Sequence, residues 1–165
     1  MFNKIFPLVA DNNFNGHKIA LWGFILFTLL MTWRSIIHML FEKYGFHEIG
    51  NFISIEGNAD PMVLIYRFFS LWGFAQLIIC LICWIVIFRY RALIPLMYLL
   101  WLFEWSFRAF GYPLIREDIT IQGIYTVGAT PGEVGAPFAA FLLMILFSLS
   151  PVSYTHLTLP TILLV

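Results

Sequence analysis

The chain has 165 residues, of which 61% are hydrophobic and 11% are charged, and its mean hydropathy is +0.88. Soluble domains carry about 25% charged residues, so this composition indicates a membrane protein. Nine Lys and Arg residues balance nine Asp and Glu residues, and there are two cysteines. The balance leaves no basic surplus for a nucleic-acid partner, and two cysteines are too few for a disulfide framework or a four-thiolate zinc site.

Four apolar segments are long enough to cross a bilayer, which requires roughly 20 apolar residues in a helix. They predict helices at about 19–41, 62–88, 92–110 and 135–150. The link between the second and third segments is short, which favours an antiparallel hairpin. Residues 1–150 are therefore predicted to form one all-α domain, an antiparallel bundle of four transmembrane helices.

The connections between these segments carry start and turn signals. Asp60 followed by a proline predicts the start of the second helix, with Asp60 as the capping acceptor. Longer loops are predicted at 42–60 and 111–135. Apolar and polar residues alternate at 119–122, which favours a short hairpin or an interfacial flap, and the Pro-Gly-rich stretch at 130–135 is typical of turns.

The two ends of the chain carry different sequence signals. Residues 152–161 resemble the translation of a transposon-end sequencing adaptor, so 151–165 is predicted to be a non-native tail that replaces the authentic residues. At the other end there is no pattern of a cleavable signal peptide. The first apolar segment is full helix length, and we expect it to act as the insertion signal.

Basic residues near helix ends predict the orientation. Four lie on the side that holds the N-terminus and the link between the second and third helices: Lys4, Lys18, Arg89 and Arg91. The opposite loops are mainly acidic. With Arg34, Arg67 and Arg108 left out of the count as partly membrane-embedded, this distribution favours a cytoplasmic (inner) membrane location with both termini in the cytoplasm.

Five of the ionisable side chains within or beside the predicted spans are candidate site residues. At about 1.5 Å per residue, Arg34 is roughly 22 Å into the first helix and Glu104 roughly 18 Å into the third. Pairs at i and i+4 share a helix face, and the candidate site residues include two such pairs. The predicted ligand-binding residues are Arg34, His38, Arg67, Glu104 and Arg108.

Three interpretations of these residues stay open. In the first, the arginines extend to lipid headgroups and Glu104 is a structural counter-ion. In the second, the guanidinium groups line an outer-leaflet site for a small anion, a lipid headgroup or a quinone-like ring. In the third, Glu104 and His38 relay protons. Charged groups at membrane depth cost free energy to bury, which favours paired or functional roles for them.

Cys80 and Cys83 form a C-x-x-C motif in the second helix. The motif is similar to that of the vitamin K epoxide reductase family, in which such a pair reduces a quinone. With no further cysteines to relay electrons, inert core thiols are the favoured interpretation. A b-type haem would need histidine ligands inside the bundle, and His38 alone meets that condition.

In topology the chain loosely resembles DoxX-like and related small four-helix membrane proteins, because it has an arginine near the end of its first helix and a Pro-Gly-rich loop before the fourth. The resemblance implies an accessory or interaction role, within a larger membrane complex or a homo-oligomer, with the lipid bilayer as the surrounding partner. The alternative is an enzyme, either a membrane oxidoreductase or a lipid-modifying protein that uses the Glu/His/Arg cluster. A transporter is a third class. No cofactor is predicted from the residues.

Overall fold

The computed structural model describes residues 2–115 and 124–151. Within those ranges the chain is helical and has no extended strand, and four helices are long and apolar enough to cross a membrane. They are α1 (Lys18–Leu40), α2 (Met62–Arg89), α3 (Arg91–Ile115) and α4 (Pro131–Leu149). The predicted all-α class with four such helices is confirmed. The adaptor-like run at 152–161 and the predicted hairpin at 119–122 lie outside the described residues.

The helices α1 and α2 begin close to where the sequence predicts. His17 caps α1, because its Nδ1 accepts a hydrogen bond from the Ile19 amide at 3.1 Å. Asp60 Oδ1 accepts from the Met62 amide at 2.8 Å, as expected for a capping acceptor at the start of α2. The connection between them starts with two short helical pieces at 42–44 and 45–49, so the predicted loop at 42–60 is non-helical only in its second half.

The third helix is longer than the predicted 92–110. It opens with a 3-10 turn (Arg91–Leu93), continues as Ile94–Ser106, widens to a π turn (Phe107–Gly111) and ends as Tyr112–Ile115. In the π turn the Tyr112 amide bonds to the Phe107 carbonyl. One residue is thereby inserted into the turn, and the helix continues past residue 110, where the sequence predicts its end.

The fourth helix starts at Pro131 rather than at 135. Thr130 is the N-cap residue, and its carbonyl accepts from the Glu133 and Val134 amides at 2.9 and 3.1 Å. Proline fits the first helical position, and an acidic residue in the first turn complements the helix dipole. The stretch predicted as a turn at 130–135 therefore forms the first turn of α4.

The core lies where the four helices face one another. The most extensive contact is between α1 and α2, followed by that between α3 and α4. Tyr98 of α3 joins it to α1, since its ring meets Phe24 edge-on at 5.1 Å and its hydroxyl donates to the Ala20 carbonyl at 2.7 Å. Large apolar side chains cover the outer surface as well, which is unusual for a water-soluble protein.

Hydrogen bonds tie the connections together at each end. At one end the Ala92 amide donates to the Asp11 carbonyl at 3.2 Å and the His17 amide to the Leu149 carbonyl at 3.1 Å. At the other end the Ile53 amide donates to the Tyr125 carbonyl at 3.0 Å, and the Val127 amide donates to the Asn51 carbonyl at 2.8 Å. The start of α1, the link between α2 and α3, and the end of α4 therefore lie at the same end.

Candidate functional site

Two arginines from different helices lie over the same two indole rings. The Arg34 Cζ of α1 is 4.9 Å from the centre of the Trp72 ring and 5.9 Å from that of Trp105. The Arg108 Cζ, in the π turn of α3, is 5.2 Å and 5.4 Å from the same two rings. Each contact is a cation–π interaction, which is stronger where water is excluded. The rings thus hold two positive charges side by side.

The two guanidinium groups have different polar partners. Arg34 Nη1 donates to Oε1 of Gln76 at 2.9 Å, and the Gln76 side chain is buried between the helices. Arg108 Nη2 forms an ion pair with Glu104 Oε1, one turn earlier on α3. We call Arg34, Arg108, Glu104, Gln76, Trp72 and Trp105 the arginine cluster. Its two arginines and one carboxylate leave one positive charge uncompensated within the cluster.

Three buried polar atoms of the arginine cluster have no hydrogen-bond partner among the described residues. They are Glu104 Oε2, Arg108 Nε and Trp105 Nε1. The Trp105 side chain is 7% exposed, so its N–H donor is shielded from bulk water. An unsatisfied buried donor or acceptor costs about 1–3 kcal/mol. A ligand that supplies the missing hydrogen-bond partners would therefore stabilise the arginine cluster.

The start of α4 adds a further positive element. A Cβ atom placed on Gly132 would lie 3.9 Å from Arg34 Nη2, which puts the first turn of α4 beside the guanidinium group. The N-terminus of a helix carries partial positive charge from its unpaired amides. Thr130, the N-cap residue, has a buried hydroxyl without a partner in the described chain. Both features favour a negatively charged group next to Arg34.

Among the described residues, the contact between His38 and the arginine cluster is with Trp72. Its ring stacks on the Trp72 ring at 4.9 Å and meets Phe69 edge-on at 4.5 Å, and the residue is 5% exposed. Among the described residues no hydrogen bond connects His38 to Glu104. His38 Nδ1 is itself buried without a partner in the described part of the chain, and the proton-relay interpretation stays a prediction.

Arg67 does not belong to the arginine cluster, contrary to the predicted grouping. It is exposed and lines a separate depression with Lys43, Asp60 and Tyr66. The reason is helix geometry: Arg67 precedes Gln76 by nine residues, roughly two and a half turns, so the two side chains lie on opposite sides of α2. Gln76 itself was not predicted, although it is the one side-chain amide in an apolar run.

The two thiols lie in the helix core. Cys80 and Cys83 are free and buried. The Trp101 indole donates to Cys83 Sγ at 3.2 Å, and Cys80 Sγ is 3.9 Å from the Ser35 hydroxyl. Both sulfurs are thus enclosed by neighbouring helices, an environment typical of structural rather than reactive cysteines.

Comparison of the chain with protein-family models, with curated proteins and with solved structures finds no match. The loose resemblance to DoxX-like proteins therefore stays a prediction.

Proposed function

We propose that this chain is a small multi-pass membrane protein with an accessory or interaction role, and that it binds an oxyanion at the arginine cluster. The observation that carries the proposal is the pair of guanidinium groups that share two indole rings, with a single carboxylate, Glu104, that is paired with Arg108 alone. The positive charge left over, the unpartnered Trp105 donor and the start of α4 all favour the same type of ligand.

An oxyanion suits this site better than a neutral ring. A charged arginine costs about 2.5–3.5 kcal/mol at the centre of a membrane helix on insertion scales, and a negative ligand offsets part of that cost. A quinone carbonyl could accept hydrogen bonds but would leave the charge in place. The planar guanidinium fork matches carboxylate and phosphate oxygens, so phosphate or carboxylate is the proposed ligand class.

The proposed arrangement in the membrane is an antiparallel bundle. Support comes from the hydrogen bonds that join the start of α1 to the end of α4, and the start of α3 to the segment before α1. Lys18, Arg89 and Arg91 lie at that end, which favours the cytoplasmic side. A reporter fused after Tyr90 should be active in the cytoplasm, and an extracytoplasmic signal would contradict this orientation.

Thermal unfolding of the purified protein in detergent tests the anion site. Ligand that binds only the folded state stabilises it by RT ln(1 + [L]/Kd), about 2.7 kcal/mol at a hundredfold excess over Kd. Inorganic phosphate should therefore raise the Tm above that in chloride at equal ionic strength. Arg34→Gln should remove the increase, whereas Arg89→Gln, which alters an exposed arginine at the far end of α2, should retain it.

Two outcomes would contradict the proposal. One is an equal Tm in phosphate and chloride for the unaltered protein. The other is a phosphate response that survives Arg34→Gln undiminished, since the anion would then bind elsewhere. Arg108→Gln provides a second, independent removal of one guanidinium, so the test does not depend on a single variant that folds poorly.

A further inference from the structure

A depression lies where α2 begins, apart from the arginine cluster. It consists of two adjoining, open surface hollows of about 400 Å³ and 490 Å³, which share Lys43, Asp60 and Tyr66 as lining residues. Arg67 and Ser70 line one of them and Glu56 lines the other. We call this region the α2 depression. Because it lies directly after α1 and at the first turns of α2, it would be at headgroup depth in a membrane.

The α2 depression is lined by charges of both signs. Two basic residues face three acidic ones, so the net charge of the lining is one negative: Lys43 and Arg67 against Glu42, Glu56 and Asp60. The three carboxylates would repel a purely anionic ligand. The two basic groups would repel a simple cation. A ligand that carries both a phosphate and an ammonium group would pair with each set.

Tyr66 has a fixed place in the wall of the depression. The Nδ1 atom of His47 lies 2.8 Å from the Phe52 carbonyl oxygen, which can only accept, so Nδ1 carries the hydrogen. In the neutral ring Nε2 is then an acceptor, and the Tyr66 hydroxyl donates to it. The phenol oxygen keeps its lone pairs available to a donor. Lys43 Nζ is 5.7 Å from the centre of the Tyr66 ring.

An exposed apolar stripe continues from the depression along α2. Val63, Arg67 and Ser70 line the depression at helical spacing. The same spacing then brings Phe74, Ile78 and Leu81, which are 50%, 44% and 53% exposed. From Ser70 to Leu81 the helix rises about 17 Å, close to half of a hydrocarbon core about 30 Å thick. Polar head site and apolar stripe thus have the proportions of one lipid in one leaflet.

We propose that the α2 depression binds a phospholipid whose headgroup combines a phosphate with a primary ammonium, as in phosphatidylethanolamine. Lys43 and Arg67 hold the phosphate, Glu42 and Asp60 accept from the ammonium, and an acyl chain lies along the stripe. A choline headgroup has no N–H to donate, and an anionic glycerol headgroup adds negative charge to a negative lining. This inference rests on the proposed membrane location but not on the arginine cluster.

Native mass spectrometry of the detergent-purified protein tests the inference. Phosphatidylethanolamine, phosphatidylcholine and phosphatidylglycerol with identical acyl chains are offered together at equal concentration. The ethanolamine lipid should be retained roughly tenfold over the other two, because it alone satisfies both sets of charges. Arg67→Gln should reduce its retention by about the same factor, and Glu42→Gln should remove the preference over choline.

Controls separate this lipid site from the anion site. Arg89→Gln, at the opposite end of α2, and Arg34→Gln, in the arginine cluster, should both leave the lipid preference intact. The inference is wrong if the glycerol lipid is retained as well as the ethanolamine lipid, if all three lipids are retained equally, or if Arg67→Gln has no effect. Retention of soluble phosphoethanolamine without any lipid adduct would also overturn the inference, since the bound ligand would then be a free solute and not a lipid. Any of these results leaves the phosphate response at Arg34 to be judged on its own experiment.

Discussion

The helices α1 and α2 pack tightly at Gly73, and Gly73→Ala tests whether they meet there as described. A Cβ atom at this position would lie 2.7 Å from both His38 Cβ and the Met39 amide nitrogen, and 2.9 Å from the His38 carbonyl carbon. Two of these are backbone atoms, which no rotamer change can move. The substitution therefore requires α1 to shift away from α2.

The size of the effect follows from two opposing contributions. Overpacking in a close-packed interior costs about 1–3 kcal/mol, and contact with backbone favours the upper value. Alanine is better than glycine in a helix by about 1 kcal/mol. The difference is a net destabilisation of about 2 kcal/mol. Small residues of this kind allow membrane helices to approach closely.

Equilibrium unfolding in mixed micelles measures this difference, with Gly135→Ala as the matched control. At Gly135 no atom lies within 4 Å of an added Cβ, so only the helix preference of alanine remains. That variant should gain about 0.5–1 kcal/mol, and Gly73→Ala should lose about 2. The reasoning is refuted if both variants are stabilised alike, because α1 and α2 would then not meet at Gly73.

Three further predictions follow from single contacts. Glu104→Gln should lower the free energy of unfolding without ligand by about 1 kcal/mol, because it breaks a partly exposed ion pair with Arg108. It should also enlarge the Tm response to phosphate, because the net charge of the arginine cluster rises from one positive to two. An unchanged response would contradict this prediction. Tyr98→Phe should cost about 1 kcal/mol in chemical unfolding, because the substitution removes the hydroxyl that donates to the Ala20 carbonyl. A neutral effect would argue against that hydrogen bond. Cys80 and Cys83 should react with a maleimide only after the protein is unfolded, and rapid labelling of the folded protein would show that they are not buried.

The helices could be predicted because their signal is averaged over many residues. A run of about twenty mostly apolar residues indicates a membrane span even where it contains a single charged residue, such as Arg34. The pairing of Glu104 with Arg108 was also predictable, since it depends only on i, i+4 spacing within one helix. Both predictions use local information, which the sequence contains directly.

The composition of the site was harder to predict because it depends on how each helix is rotated about its axis. The sequence places Arg67 in the same half of the membrane as its predicted partners but does not state which side of α2 it occupies. Trp72 and Gln76 meet Arg34 through contacts between α1 and α2 that are remote in sequence. The extension of α3 past 110 depends on a π turn, for which the residue pattern gives no signal.

The most direct test of the arginine cluster is an NMR titration of the indole N–H groups with inorganic phosphate. The Trp105 indole has no acceptor in the described chain, whereas those of Trp84 and Trp101 already donate to protein atoms. Bound oxyanion should therefore shift the Trp105 proton downfield in a saturable way and leave the other two in place, and Arg34→Gln should abolish the shift. A Trp105 signal that does not respond, or three signals that move together, would contradict an anion site between the two arginines.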